Sequence, residues 1–189
     1  MRRLILFGAI AAGLTAVTIA ANAQSSRSFA FGHWGQVWGT WVWTSAFSNG
    51  NIPGLIIFNV DGTISGADAS MFGLTPAGTV RASPMYGVWE RTGFQSVGGT
   101  SLYFVYNATG GLIGWGRARS SLQFSDDFNS LQGKMFVEML SCSAAAPPVS
   151  CPDPQDPAAK WTPANPAQPK DGWAVTAVRL DRVPAGPLP

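Results

Sequence analysis

The chain has 189 residues, of which 46 % are hydrophobic and only 12 % are charged, with a formal net charge of +2. Its Lys and Arg residues form no cluster of the kind that binds nucleic acid or an anionic membrane surface. So low a charge content also argues against electrostatic capture of a strongly ionic substrate. We therefore expect a neutral or weakly polar small-molecule partner and no nucleic acid.

The first 23 residues have the pattern of a secretion signal. Arg2 and Arg3 supply a positive start, residues 4–21 are apolar, and Ala21-Asn22-Ala23 fits a small-x-small cleavage site. A membrane anchor is the alternative, but the stretch is barely long enough to cross a bilayer. We expect cleavage after residue 23 and export to the periplasm or the extracellular space, without a stable membrane anchor.

Cleavage leaves a single domain over residues 24–189. It also removes Arg2 and Arg3, so the basic residues fall from twelve to ten and equal the ten acidic ones. The mature chain is therefore near neutral.

Tryptophan is concentrated at the start of this domain. Trp34, Trp38, Trp41 and Trp43 fall within ten residues, in and around the tripeptide Gly39-Thr40-Trp41. Beyond them the chain divides into strand-length apolar runs bounded by Gly, Asn, Asp or Pro. These runs are Val37–Trp43, Gly54–Asn59, Gly87–Thr92, Ser101–Tyr106, Leu112–Arg119, Lys134–Leu140 and Trp173–Leu180.

Turn signals separate the runs at Asp61-Gly62, Asn107–Gly111 and Ser125–Asn129. No window after the signal has a sustained helical period. The pattern predicts an all-β domain, a single antiparallel up-and-down β-barrel of about eight strands. A β-sandwich is the alternative.

A long proline-rich loop over residues 142–172 interrupts this rhythm before the last strand. Its prolines forbid a regular ladder, so we expect a surface excursion, either a lid over the barrel mouth or a layer against the barrel wall. Cys142 and Cys151 lie at its base. In an exported chain such a pair indicates a disulfide, whose closure removes about 2–3 kcal/mol of unfolded-chain freedom. Trp161, inside the loop, is expected to pack onto another group.

Gly39-Thr40-Trp41 resembles the Gly-x-Trp signature of the lipocalin (calycin) barrels. The resemblance implies that Trp41 packs across the closed end of the barrel, with Arg179 or Arg182 from the last strand over it. The segments Phe58–Thr63 and Tyr86–Gly93 extend the similarity to a group of small bacterial lipocalin-like proteins, mostly uncharacterised. Gly39, Trp41 and Arg179 are accordingly structural candidates.

Four polar side chains are candidates for catalysis. They are Glu90, Tyr86, Arg117 and Glu138. Glu90 and Glu138 each lie in an apolar strand, where burial would raise the pKa of a carboxyl group. Tyr86 could line one cavity with Glu90, and an inward Arg117 could hold a phenolate, carboxylate or enolate. The strand register decides whether each points into the barrel or towards solvent. His33 is the single histidine, so a histidine metal cluster is impossible, and we expect neither a metal nor a cofactor.

Aromatic and Met side chains along the strands are candidates to line a cavity. They are Trp43, Phe58, Tyr86, Trp89, Tyr103, Trp115 and Met135. A small barrel either fills its interior or holds one small ligand. The favoured hypothesis is an exported protein that binds a small hydrophobic or aromatic molecule. The alternatives are a cofactor-independent lyase, isomerase or cyclase in the same cavity, and a structural envelope protein.

Overall fold

The computed structural model describes residues 37–47, 50–72, 80–143 and 150–180. The strands of the described residues all belong to one compact unit of the chain, Trp38–Pro189. The predicted signal and His33 lie outside the described residues. Within the described ranges, no helix is long and apolar enough to cross a membrane.

The described residues form ten β-strands and one 3₁₀ turn, Ala69–Phe72. In chain order the strands are β1 Gly39–Phe47, β2 Gly50–Phe58, β3 Thr63–Asp68, β4 Val80–Ala82, β5 Met85–Arg91, β6 Ser96–Asn107, β7 Leu112–Phe124, β8 Ser130–Ser141, β9 Thr162–Pro163 and β10 Trp173–Arg179.

Eight of these strands close into an antiparallel barrel in the order β1, β2, β3, β5, β6, β7, β8 and β10. Closure comes from β10, which pairs with β8 on one side and with β1 on the other. The predicted up-and-down, lipocalin-like barrel is confirmed. The alternative of a β-sandwich is wrong, because the pairings of β10 with β8 and with β1 close the sheet on itself. The short β4 pairs with residues 105–107 of β6, next to the part of β6 that pairs with β5. The short β9 pairs with β8.

Aromatic side chains fill one end of the barrel, which we call the closed end. Trp41 is fully buried and its ring centroid lies 5.3 Å from that of Phe124. Phe58 packs edge-on against Trp89 at 5.9 Å and contacts Phe124 at 6.2 Å. Trp89 Nε1 donates a hydrogen bond to the Asn59 carbonyl, so the N–H of this half-buried indole is satisfied. The closed end is a packed core with several interlocking rings.

The Gly-x-Trp segment lies next to the last strand at this end. Trp41 is the cross-strand partner of Arg179, and Arg179 Nη2 donates to the Trp38 carbonyl at 3.1 Å. Gly39 has a φ of +134°, a conformation that favours glycine, and a Cβ there would lie 3.7 Å from Arg179 Nη2. Arg179 is thus the arginine beside Trp41, while Arg182 lies outside the described residues.

The proline-rich excursion covers the edge of β8 beyond the end of β10. Cys142 and Cys151 form the predicted disulfide at its base. The backbone amide of Ala164 donates to the Val137 carbonyl, and the amide of Val137 donates to Gln168 Oε1. Because an uncovered strand edge presents unpaired backbone groups, these contacts satisfy the N–H and the carbonyl of Val137 on that edge.

Two side-chain contacts also attach the excursion to the barrel. The indole of Trp161 lies under the Arg117 guanidinium, with 4.1 Å between Cζ and the ring centroid. Lys134 and Asp171 form an exposed ion pair at 2.8 Å. Trp161 therefore packs on the outer wall of the barrel.

Candidate functional site

A cavity of about 210 Å³ occupies the end of the barrel opposite the closed end. Alternate residues of each strand point inward, and at this end most of them are apolar. The apolar side chains around the cavity are Trp43, Phe47, Ile52, Val80, Ala82, Met85, Tyr103, Val105, Ala118, Met135, Val137, Met139 and Trp173. Ala164 and Asn165 of the excursion border it as well.

Two glycines allow the largest of these rings to lie flat against the barrel wall. Gly54 is the cross-strand partner of Trp43, and a Cβ on Gly54 would lie 2.5 Å from Trp43 Nε1 and Cε2. Gly116 is the partner of Tyr103, and a Cβ there would lie 2.1 Å from Tyr103 Cε2. Any larger residue would displace the ring, so both glycines keep the cavity open.

Two tryptophans that line the cavity have buried indole N–H groups with no hydrogen-bond partner among the described residues. Trp43 is 4 % exposed and Trp173 is 5 % exposed, and the Nε1 atom of each is buried and unpaired. An unpaired buried donor costs about 1–3 kcal/mol, and such groups are rare in native proteins. Both indoles are therefore candidates to bond an acceptor on a ligand.

A carboxylate and a phenol add polar groups to the cavity lining. The amide and hydroxyl of Ser70 both donate to Asp68 Oδ1. Burial, and secondarily the negative charge of Asp68, raises the pKa of Tyr103. The Tyr103 hydroxyl therefore stays protonated throughout the physiological pH range and acts as a hydrogen-bond donor or acceptor. Arg81 lines the cavity too, from an exposed position.

The predicted ligand-binding residues divide among three regions of the barrel. Trp43, Tyr103 and Met135 line the cavity. Phe58 and Trp89 point inward but belong to the closed end, which their rings fill. Tyr86 and Trp115 point outward: Tyr86 is 66 % exposed, and Trp115 stacks on Phe104 at 4.4 Å on the outer wall.

The four candidate catalytic residues all lie on the outer face. Glu90 and Tyr86 are exposed on β5, since the inward positions of that strand are Met85, Gly87 and Trp89. Arg117 and Glu138 are cross-strand partners on the outside of β7 and β8. Their outward orientation follows from Ala118 and Val137, the adjacent residues, which face the cavity. Glu138 also borders the cavity.

Glu138 instead joins two arginines in an ion-pair cluster. Its Oε2 accepts hydrogen bonds from Arg117 Nε at 3.0 Å and Arg119 Nε at 2.9 Å, and its Oε1 accepts one from Arg119 Nη2 at 3.1 Å. Partial burial raises the pKa of Glu138, but the hydrogen bonds and charges of the two arginines together outweigh it, and the pKa lies below its ordinary value. The cluster is built to hold an ionised carboxylate, whereas a proton-transfer group at neutral pH needs a raised pKa.

We expect Glu138→Gln to remove an acid-sensitive part of the stability. Because the folded-state pKa is lowered, the ionised carboxylate stabilises the protein above its unfolded pKa, and this contribution disappears as pH falls through the folded pKa. The variant should be about 1 kcal/mol less stable at pH 7, as for a partly exposed ion-pair network. Urea unfolding at pH 7 and at pH 3 measures the difference, which should be smaller at pH 3. An equal difference at both pH values would contradict this role.

Several cavity residues were missed by the sequence predictions. They include Phe47, Asp68, Met85, Met139 and Trp173, together with the supporting glycines Gly54 and Gly116. One available signal was an isolated glycine inside an apolar strand, which marks a close approach of another group. Among the described residues no group of His, Cys, Asp and Glu is arranged to hold a metal ion.

Fold and site together define a lipocalin-like β-barrel with one packed end and one hollow end. No family model, curated protein or solved structure matches the chain.

Proposed function

We propose that the protein binds a small hydrophobic or aromatic molecule in the cavity at the open end of its barrel. The observation that carries the proposal is an apolar cavity of about 210 Å³ bordered by two buried indoles with unpaired N–H groups. A cavity of about 150 Å³ lined by apolar side chains accommodates benzene, so this volume suits a molecule of one or two rings.

Export is part of the same proposal. The disulfide between Cys142 and Cys151 supports it, since disulfides persist in oxidising compartments. The apolar N-terminal pattern over residues 1–23 supplies the signal. The protein would then meet its ligand in the periplasm or outside the cell.

The two alternatives receive less support. A structural barrel would fill its interior with side chains, and here only the closed end is filled in this way. An enzyme acting through Glu90, Tyr86, Arg117 or Glu138 would need these groups free at the cavity. Glu90, Tyr86 and Arg117 point outward, and Glu138, which borders the cavity, is held in ion pairs by Arg117 and Arg119. Inside the cavity, Tyr103 has a raised pKa, which suits hydrogen bonding better than proton transfer at neutral pH.

The test is native mass spectrometry of the protein purified from the envelope of its host, followed by denaturing extraction. We expect a stoichiometric apolar small molecule on a chain that lacks residues 1–23. An empty protein that also takes up no small aromatic compound would overturn the binding proposal.

A cavity-filling variant identifies where the molecule binds. Ala118 is buried on β7 and faces the cavity, so Ala118→Leu projects additional methyl groups into it. We expect this variant to be purified largely without ligand. Ala174→Leu is the matched control, because Ala174 is exposed on the outside of β10. Equal occupancy in the two variants would place the ligand elsewhere.

A further inference from the structure

The tryptophans that line the cavity carry two hydrogen-bond donors that lack acceptors within the described part of the chain. Trp43 Nε1 and Trp173 Nε1 are donors, both belong to side chains more than nine-tenths buried, and neither has a partner among the residues that the structure describes. No acceptor in the described residues is positioned to bond either N–H. A ligand made only of carbon and hydrogen would leave both donors unpaired, and a ligand with acceptor oxygens would not.

The charged groups argue against an anionic ligand. Asp68 lines the cavity, and a second carboxylate near it would be repelled in surroundings of low dielectric constant. Glu138, at the margin, is already paired with Arg117 and Arg119. Arg81 is the cation at the cavity itself, and its exposed position leaves its charge solvated.

We propose, on the basis of the binding function inferred above, that the ligand is an uncharged molecule of one or two rings that carries a carbonyl-type acceptor for the indole N–H groups of Trp43 and Trp173. The apolar wall holds the ring skeleton. The indoles hold the oxygen and orient the molecule. The site thereby prefers such a compound over its parent hydrocarbon and over the corresponding carboxylate.

Four compounds with one ring skeleton separate these preferences. They are tetralin, 1-tetralone, tetralin-1-carboxylate and 1-aminotetralin as its cation. Isothermal titration calorimetry at neutral pH should rank the ketone first, roughly tenfold tighter than the hydrocarbon, which is the expected effect of one or two added hydrogen bonds. The carboxylate should bind most weakly.

Variants that remove the N–H but keep an aromatic ring test the assignment directly. In the double variant Trp43→Phe/Trp173→Phe, the preference for ketone over hydrocarbon should fall to near one. The single variants should each lose part of it, and they serve if the double variant does not fold. Trp115→Phe is the matched control, because Trp115 also has an unpaired buried Nε1 but lies on the outer wall.

The outcomes distinguish this inference from the function on which it rests. Equal affinity for tetralin and 1-tetralone, or an unchanged preference in the double variant, would overturn the acceptor assignment while leaving the binding function in place. Tightest binding of the aminotetralin cation would overturn it in favour of recognition by Asp68. If none of the four binds and the purified protein is empty, both the inference and the proposed function fail.

Discussion

Gly116→Ala should strongly weaken ligand binding while the barrel still folds. A Cβ at this position would lie 2.1 Å from Tyr103 Cε2 and 2.7 Å from its hydroxyl oxygen, so the ring must leave the wall. The space beside it is the cavity of about 210 Å³, and a displaced phenol ring would occupy much of it. We expect at least a tenfold loss of affinity and about 1–3 kcal/mol of destabilisation, as for other overpacked interiors. Calorimetric titration and urea unfolding measure the two effects.

Two further variants distinguish blocking of the cavity from general destabilisation of the barrel. Gly98→Ala introduces the same methyl group on β6, where its nearest neighbour is Thr92 Cγ2 at 3.2 Å, and should bind normally. Adding Tyr103→Ala to Gly116→Ala removes the displaced ring and should restore access to the cavity. Wild-type affinity in the Gly116→Ala variant alone would show that Tyr103 does not define the binding space.

Trp41→Ala should cause the largest loss of stability. The indole is fully buried in the closed end and contacts Phe124, so its removal leaves a void that the surrounding rings cannot fill. Truncation of a buried tryptophan costs about 3–5 kcal/mol, which is a large fraction of the stability of a typical domain. Urea unfolding monitored by circular dichroism gives the free energy of unfolding for both proteins.

Trp161→Ala provides the comparison for this second variant. Its indole lies on the outer wall and stacks under Arg117, a contact worth about 0.5–1 kcal/mol when it is exposed. If both truncations destabilise the protein equally, the closed end is not the main stabilising core.

The barrel was predictable because its signals are local. Turn residues at Asp61-Gly62 and Ser125–Asn129 separate apolar runs, and a strand lies on each side of both turns. The predicted runs were shorter than the two corresponding long strands. Strand β6 begins at Ser96 rather than Ser101, and β7 continues to Phe124 rather than ending at Arg119. The added segments contain polar residues, which interrupt the apolar pattern. Strand β3 was not among the predicted runs, because its centre, Ser65-Gly66-Ala67, has no large apolar side chain.

The site was only partly predictable, because alternation defines two strand faces without showing which of them is inside. On β8 the residues Met135, Val137 and Met139 share one face and Phe136 and Glu138 the other, and both faces contain apolar groups. Their orientation follows from the closure of the barrel, a contact between distant parts of the sequence. The pairing of Tyr103 with Gly116 depends on the same long-range register.

The covering of the β8 edge affects the conditions under which the protein should stay soluble. The backbone groups of Val137 that would otherwise be free are bonded by Ala164 and Gln168, within an excursion whose base is closed by a disulfide. In a reducing environment the bond between Cys142 and Cys151 opens, and we expect the excursion then to cover the edge of β8 less firmly, which favours the addition of strands from other chains. We therefore expect protein produced in a thiol-rich cytoplasm to contain more insoluble material than protein produced in an oxidising compartment.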